Sequence, residues 1–356
     1  MMKFNQAGVP ETLFGLVKHY SPTGEEADVV NWLVNQFREN GYDQAYQDTI
    51  GNAIGIKGNG PKKMVFLGHI DTVPGNLRLV VKDGEFWGRG TVDAKGPLAA
   101  FVDAVNDVQV HPDWQIWVVG AVGEEGDSRG AWHLRNQIQP DLAVIGEPSR
   151  YDRVTLGYKG VIQFQINCEQ PVSHSAGENS SAGDKVFESW QKILLRVENY
   201  NHQFEKMFEQ IQPTILSMSS SQDGFTQKAE MKINVRLPVQ VSPLDWKTNW
   251  LLDSVGVTYE IMGEGINAYE CDRNSELVRA FVKSIRGFDI RPGFVKKTGT
   301  ADINIVGPVW NCPSLVYGPG DSNLDHTEEE RISIQEYIDS VTVIKNALNL
   351  LSIAIM

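Results

Sequence analysis

Short apolar runs alternate with helical stretches through the first part of the chain, and this alternation restricts the fold more than any other feature. The apolar runs cover residues 64–67, 116–119 and 142–145, and the helical stretches cover residues 97–108 and 129–138. Strands buried on both faces read as continuous apolar runs, and strands that alternate with helices form layered α/β sheets. The sequence therefore predicts an α/β domain with buried strands.

The pattern changes near residue 157, where strands with alternating apolar and polar residues begin. Strand, helix, strand, strand, helix and strand are predicted at residues 161–166, 185–197, 214–218, 229–237, 243–255 and 257–261. This βαββαβ order is typical of a ferredoxin-like α+β domain. We predict that residues 157–266 form such a domain, inserted into a domain built from residues 1–156 and 267–356.

Residue types that bind metal ions follow the three apolar runs. His69 comes after the first run, Glu124 and Glu125 after the second, and Glu147 after the third. Ligand sites of open α/β sheets collect at the carboxyl ends of the strands, which is where these residues are expected. Imidazoles and carboxylates without a thiolate suit Zn, Mn or Co at a hydrolytic centre better than a closed structural zinc site.

Asp93 and His326 extend this set of candidate ligands. Asp93 lies in a segment, residues 88–96, that contains three glycines. A Gly-x-Gly pattern also occurs in phosphate-binding loops, but no Gly-x-x-x-x-Gly-Lys-Ser/Thr follows, so a nucleotide site is the weaker alternative. A hydrolytic centre with two ions needs a carboxylate that bridges them, and Asp93 is our candidate for that bridge.

Each motif taken alone has an ordinary structural explanation. His69-Ile70-Asp71 is typical of a turn with a capping aspartate, and Glu124-Glu125 is typical of an exposed acidic turn. Adjacent glutamates are costly to bury unless a cation neutralises them. The occurrence of all these residues together favours a metal site. Since side chains two apart in a strand point to the same side, Asp71 is expected to accept the second N–H of the His69 imidazole.

The bulk properties limit the partners and the compartment. The 32 Lys and Arg residues and 45 Asp and Glu residues give a formal net charge of −13, which disfavours nucleic acid and anionic membranes as partners. The three cysteines, Cys168, Cys271 and Cys312, form no C-x-x-C pair, which predicts a reduced, cytoplasmic protein. We find no apolar stretch of signal-peptide or membrane-span length.

The order of these motifs resembles that of the zinc aminoacylase and carboxypeptidase family of co-catalytic metallopeptidases. Residues 297–304 and 317–327 look most like those of its acetyl-lysine and acetyl-ornithine deacetylase branch. The resemblance implies a mixed-sheet catalytic domain with an inserted lid that often forms homodimers. It also implies metal-dependent hydrolysis of the amide of an N-acyl amino acid, such as N-acetyl-lysine or N-acetyl-ornithine, in lysine or arginine biosynthesis.

Three alternatives to a deacetylase of free amino acids stay open. The acyl group could belong to an amino-group carrier protein, the enzyme could be a metallo-dipeptidase or carboxypeptidase of the same family, or the chain could be a receptor that has lost its chemistry. The receptor is disfavoured because no candidate ligand is missing from the sequence.

The resemblance assigns roles to the candidate residues. It implies two divalent ions, Zn first with Co or Mn as alternatives, held by His69 and Glu147 on one side of Asp93 and by Glu125 and His326 on the other. Glu124 is implied as the base that takes a proton from the attacking water and delivers it to the leaving amine. Asp71 supports the imidazole of His69.

Residues outside this centre are implied to bind the substrate. His174 stabilises the oxyanion in many members of the family, commonly in the cleft of the partner subunit, although it could be a plain surface histidine. Arg236 is expected to hold the substrate α-carboxylate, although it could be an ordinary strand-end arginine. The substrate pocket is further expected to include Lys297, Thr298, Gly299 and Asn304.

Overall fold

The computed structural model describes residues 2–172, 180–251 and 255–355. The helices are α1 (Glu11–Lys18), α2 (Ala27–Glu39), α3 (Lys95–Asn106), α4 (Arg129–Leu134), α5 (Ala182–Asn201), α6 (Pro243–Asp245), α7 (Glu276–Arg286), α8 (Ile303–Trp310) and α9 (Ile334–Leu350). The strands are β1 (Gln44–Gln47), β2 (Ala53–Gly58), β3 (Lys62–His69), β4 (Val80–Lys82), β5 (Glu85–Trp87), β6 (Gln109–Val110), β7 (Trp114–Ala121), β8 (Leu142–Gly146), β9 (Arg153–Tyr158), β10 (Gly160–Pro171), β11 (Gln212–Gln222), β12 (Thr226–Leu237), β13 (Thr258–Ile266), β14 (Tyr269–Glu270), β15 (Gly293–Lys297), β16 (Ser314–Val316), β17 (Arg331–Ser333) and β18 (Ala354–Ile355).

The chain divides into two compact units. The first comprises Met1–Gly157, Cys271–Val295 and Ala301–Met356, and the second comprises Tyr158–Glu270 and Lys296–Thr300. No helix among the described residues has both the length and the apolar character needed to cross a membrane.

A mixed sheet forms the centre of the first unit. Within this unit its strands run in the order β1-β2-β7-β3-β8-β16-β9. The four central strands, β7, β3, β8 and β16, are mutually parallel, while β2 and β9 pair with them in the antiparallel direction. The predicted α/β fold with buried strands is therefore confirmed, and its parallel centre places four carboxyl ends at one edge of the sheet.

The three predicted apolar runs are the buried parts of β3, β7 and β8. In β3, Met64 to Leu67 are fully buried, and Leu67 pairs with Val119 of β7 and Ile145 of β8. Helix α3 lies in the interior of the unit, and its residues from Lys95 to Val105 are all buried. Burial on both faces explains why these strands show no alternation of apolar and polar residues.

The second unit has the predicted βαββαβ order. Its antiparallel sheet runs β11-β12-β10-β13, and the side chains of α5 pack on one face of that sheet. Trp190 and Ile193 of α5 join Phe164, Met231 and Ile233 in a single core. This strand order, with a helix after the first strand and another after the third, confirms the ferredoxin-like prediction.

The predicted second helix of this unit, residues 243–255, differs in the structure. Helix α6 ends at Asp245, and Trp246–Trp250 form a π-helical turn. The Thr248 hydroxyl donates to the Leu244 carbonyl at 3.0 Å, and the rings of Trp246 and Trp250 stack with centroids 5.1 Å apart. Hydroxyl groups that bond to the preceding turn compete with regular helical bonding, and this local competition is not visible in the apolar pattern.

Candidate metal centre

Four parallel strands deliver candidate ligands to the same edge of the central sheet. His69 is the last residue of β3, and Glu125 lies in the turn that follows β7. Glu147 follows β8 directly, and His326 lies in the loop after β16. Because parallel strands end at one edge, residues far apart in the sequence meet there.

The carboxylate of Asp93 faces both histidines. Its Oδ1 atom lies 3.2 Å from Nε2 of His69, and its Oδ2 atom lies 3.0 Å from Nε2 of His326. The Asp93–Ala94 peptide bond is cis. One carboxylate whose two oxygens point at different imidazoles has the arrangement expected of a ligand shared by two ions.

Glu125 completes the group on the His326 side. Its Oε1 atom lies 3.1 Å from Nε2 of His326. Ligand atoms of His69, Asp93 and Glu125 all lie within 4.8 Å of one another. Three nitrogen and oxygen donors within such a distance, most of them on buried side chains, fit a divalent cation by number and by type.

The Asp71 side chain plays a different part from the one we expected. The Nδ1 atom of His69 lies 3.0 Å from the backbone oxygen of Asp71, whereas the nearest carboxylate oxygen of Asp71 is 3.6 Å away. The carboxylate instead accepts the backbone N–H groups of Glu124 and Glu125, each at 3.1 Å, and the hydroxyl of Thr23 at 2.7 Å. Asp71 thus orients the imidazole through its backbone and the glutamate turn through its side chain.

The turn that carries Glu124 depends on Gly123. This residue has φ +82°, and a Cβ atom there would lie 2.6 Å from the guanidinium of Arg129. Arg129 in turn pairs with the buried carboxylate of Glu26 at 2.7 Å. Only glycine combines this backbone conformation with such close approach, so Gly123 permits the tight turn that Asp71 then holds.

The carboxylates of the cluster favour the positively charged forms of the His69 and His326 imidazoles. Burial alone would lower the pKa of His69, but the side chains of Asp71 and Asp93 and the charge of Glu124 raise it well above its ordinary value. Hydrogen bonds with Asp93 and Glu125 raise the pKa of His326 to about 10. The same carboxylates that favour protons on the imidazoles would also favour a divalent cation, so proton binding and metal binding would compete here.

Glu124 occupies the most strongly acidic part of the cluster. Burial raises its pKa well above the ordinary glutamate value, and the charges of Glu147, Asp302 and Glu125 add to this, while His69 opposes it. Among the carboxylates that raise this pKa, Glu147, which is only 7% exposed, contributes most. A carboxyl group that is poised to hold a proton is suited to general acid and base catalysis.

Two of the predicted substrate-binding residues, Arg236 and Lys297, make contacts within the second unit. In the second unit, Arg236 Nη1 donates to the Thr300 hydroxyl at 2.9 Å, and burial, with the charge of Arg236, lowers the pKa of Lys159 to about 8. Lys297 lies over the Tyr158 ring, 5.8 Å from its centroid.

The other predicted substrate contacts stay predictions. Thr298 is half-buried, and a Cβ atom at Gly299 would meet nothing within 4 Å. In the first unit, the side-chain oxygen of Asn304 accepts the Ala301 N–H at 3.0 Å. His174 lies outside the described residues.

Two buried charged residues near Asp93 escaped the sequence analysis. Glu330 is fully buried and Arg89 is 6% exposed, and they pair at 2.7 Å. Glu330 ends the run Glu328-Glu329-Glu330, which reads as an exposed acidic segment. Asp302 belongs to the polar loop of which part was expected to line the substrate pocket, and its Oδ1 atom has no hydrogen-bond partner among the described residues, while burial raises its pKa to about 7.

Comparison with known proteins finds a matching family and relatives that are similar to this chain in sequence. Residues 65–350 match the sequence model of peptidase family M20/M25/M40. A protein of Thermococcus kodakarensis, provisionally named LysW-lysine/LysW-ornithine hydrolase, is 40% identical over 95% of this chain and 90% of its own. The LysW-lysine hydrolase of Deinococcus radiodurans is 37% identical over 92% of each chain.

Solved structures with low sequence identity share the fold. Aminopeptidase PepT from Bacillus cereus superposes with a TM-score of 0.76 at 16% identity, over 96% of this chain and 98% of its own. An M20 family metallo-carboxypeptidase from Sulfolobus solfataricus has a TM-score of 0.72 at 14% identity, over 98% of this chain and 100% of its own. At these identities the likeness extends to the fold alone.

Proposed function

The chain belongs to peptidase family M20/M25/M40 and is a metal-dependent amidohydrolase, and we propose that it releases lysine or ornithine from an amide-linked acyl group with the help of two divalent ions. The orientation of Asp93 between His69 and His326 is the observation that carries the two-ion part of this proposal. The names of the relatives above 30% identity support the substrate class.

The two ions would share Asp93. His69 and Glu147 would complete one position, and Glu125 and His326 the other. The donor set suits Zn²⁺ best, with Co²⁺ or Mn²⁺ as alternatives, since it combines imidazole nitrogen with carboxylate oxygen and contains no thiolate. Bound ions of this kind supply Lewis-acid activation of water and of the amide carbonyl.

Glu124 would move the proton. Its carboxylate takes a proton from the attacking water and passes it to the nitrogen of the leaving amine. The hydrogen bond from the Glu124 backbone N–H to Asp71 fixes the backbone from which the Glu124 side chain extends, relative to His69. Divalent cations in the cluster would lower its pKa from the raised value in the metal-free protein, because they offset the carboxylate charges that surround it.

Arg236 would bind the free α-carboxylate of the amino acid product. Its Nη1 atom donates to the Thr300 hydroxyl at 2.9 Å, and a planar guanidinium fork matches the geometry of a carboxylate. The LysW group in the relatives' names fits the carrier-protein alternative that the sequence left open. We therefore propose a carrier-linked lysine or ornithine as the substrate, in lysine or arginine biosynthesis.

Peptide cleavage is the less favoured reaction. The peptidases and dipeptidases among the solved structures are no more than 17% identical to this chain, so their activities do not transfer with the fold. The relatives at 37% and 40% identity bear hydrolase names for lysine and ornithine derivatives.

We further propose a homodimer formed through β11. This strand lies at the edge of its sheet, and it exposes Ile215, Leu216 and Met218 at 42%, 55% and 50%. An apolar edge strand left open to solvent is a ready site for pairing with a second chain. The small number of cysteines, three in the whole chain and none in a C-x-x-C pair, supports a location in the reducing cytoplasm.

A panel of substrates tests the proposed reaction. Metal-loaded protein is given N-acetyl-lysine, N-acetyl-ornithine, glutamyl-linked lysine both free and attached to the carrier protein, and several dipeptides, and release of free amino acid is measured. We expect acyl derivatives of lysine or ornithine to be hydrolysed and the carrier-linked form to react fastest. Faster cleavage of the dipeptides would show that the enzyme is a dipeptidase.

A further inference from the structure

Glu330 holds the backbone on which the proposed bridging ligand sits. Its Oε1 atom accepts the N–H groups of Val92 and Asp93 at 3.0 and 3.1 Å. Its Oε2 atom accepts from Nη1 of Arg89 at 2.7 Å. Each oxygen of this fully buried carboxylate therefore contacts the segment that carries Asp93.

Arg89 fixes the other side of this arrangement. Its Nε atom donates to the backbone oxygen of Gly75 at 3.0 Å, so the guanidinium joins two loops of the first unit. The pair is neutral as a whole, which means that Glu330 can lie near the carboxylates of the metal centre without adding net charge to them.

The segment that carries Glu330 also carries His326. His326 contacts the side chain of Asp93 at 3.0 Å, while Glu330 contacts the backbone of the same residue. Two contacts from one short segment fix both the position and the orientation of Asp93 relative to His326. Gly90, close before Asp93, adopts φ +85°, and a glycine restricts the backbone less than other residues do. Contacts from outside the segment are therefore needed to fix the position of Asp93.

An internal ion pair that only stabilises the fold would also be buried and well bonded. Such a pair would not need to contact the one residue shared by both proposed metal positions. Partners that orient ligands from outside the coordination shell commonly alter metal affinity 10 to 100-fold when they are removed.

We propose that the Arg89–Glu330 pair is a positioning device for the metal centre, in which the Glu330 oxygen that accepts the Asp93 N–H sets the affinity for the ion shared by Asp93, Glu125 and His326. This inference rests on the metal ligands of the proposed function but not on its substrate.

Paired variants separate the hydrogen bonds from the charge. In Arg89→Met/Glu330→Gln the pair is neutral and the amide oxygen can still accept both N–H groups. In Arg89→Met/Glu330→Met the pair is neutral and the acceptor is gone. Metal-free protein is titrated with Zn²⁺ against a competing chelator and with Co²⁺, whose visible absorption reports the coordination geometry.

We expect the ion held by Asp93, Glu125 and His326 to bind at least about 10-fold less tightly to the Met/Met variant than to the Met/Gln variant, with a changed Co²⁺ spectrum. Glu330→Asp keeps the charge but withdraws the acceptor by one methylene, and it should weaken the same ion even if the Met/Met variant does not fold. Asp103→Asn is the control, because Asp103 is also a buried carboxylate with two hydroxyl donors, and we expect unchanged affinity for both ions.

Wild-type affinities in Glu330→Asp, or equal affinities in both double variants, would overturn the positioning role. Absence of ion binding by the wild-type protein would overturn it as well, together with the metal part of the proposed function. Two bound ions without hydrolysis of any acylated lysine or ornithine would refute only the proposed reaction.

Discussion

The backbone N–H of Glu124 donates to Oδ1 of Asp71 across 3.1 Å, and the same aspartate holds His69 through its backbone oxygen. A single residue therefore sets the position of a proposed metal ligand and of the proposed catalytic base. Any shift of Asp71 would move both groups together, so the position of Glu124 relative to His69 would be preserved.

Replacement of the proposed base should separate catalysis from metal binding. Glu124→Gln keeps the size of the side chain and the backbone bond to Asp71, but it cannot accept a proton. We expect turnover to fall about 10² to 10⁴-fold with both ions retained. Glu125→Gln is the matched comparison and should lose an ion, as measured by elemental analysis. The reverse result would mean that the two glutamates have exchanged roles.

Asp93 should matter to both ions, whereas Glu147 should matter to one. Asp93→Asn replaces one of the two oxygens that face His69 and His326 by an amide nitrogen, so affinity at both positions should fall. Glu147→Gln should weaken a single position. Zn²⁺ titration followed by calorimetry distinguishes the two patterns, and selective loss of one ion in Asp93→Asn would argue against a bridge.

Substrate recognition should depend on the planar guanidinium of Arg236. An ammonium cannot reproduce its bidentate contact, so Arg236→Lys should lower kcat/KM about 10 to 100-fold. The loss should shrink for a substrate whose α-carboxylate is replaced by a carboxamide. An equal loss with both substrates would assign Arg236 a structural role instead.

The edge strand β11 should control the oligomeric state. Met218→Lys places a charge on the exposed apolar edge, and we expect the sedimentation mass to fall from that of a dimer to that of a monomer. Leu195→Lys changes a comparably exposed side chain on α5 and should leave the mass unchanged. Dimers that persist in Met218→Lys would place the interface elsewhere.

Asp103 should give the stability a recognisable pH dependence. Burial raises its pKa to about 6, although the hydroxyls of Thr12 and Tyr337 oppose the shift. Since the folded state binds this proton more tightly than the unfolded state, its contribution is full below about pH 4 and is lost as the pH rises through about 6. Relative to the wild-type protein, Asp103→Asn should gain about 2 to 3 kcal/mol across that interval.

Chemical denaturation at several pH values measures this difference directly. A constant difference between the two proteins from pH 4 to pH 7 would mean that Asp103 titrates alike in the folded and unfolded states.

The sequence identified four candidate ligands that the structure brings together, His69, Asp93, Glu125 and His326, because each follows a buried strand or stands in a distinctive glycine-rich or polar loop. It was insufficient for Asp71, since the alternation of side chains along a strand says nothing about a backbone oxygen that binds the imidazole first. Glu330 could not be told from Glu328 and Glu329 by residue type, because only the tertiary fold buries it.

The order of the ligands along the chain has a consequence for synthesis on the ribosome. Asp93 and Glu125 emerge before the second unit, whereas His326 and Glu330 emerge after it. The proposed position of His69, Asp93 and Glu147 is therefore complete in sequence before the second unit is translated, whereas the position of Asp93, Glu125 and His326 is not. Long-range contacts of this kind form late in folding, so the two proposed positions would become available at different stages of synthesis.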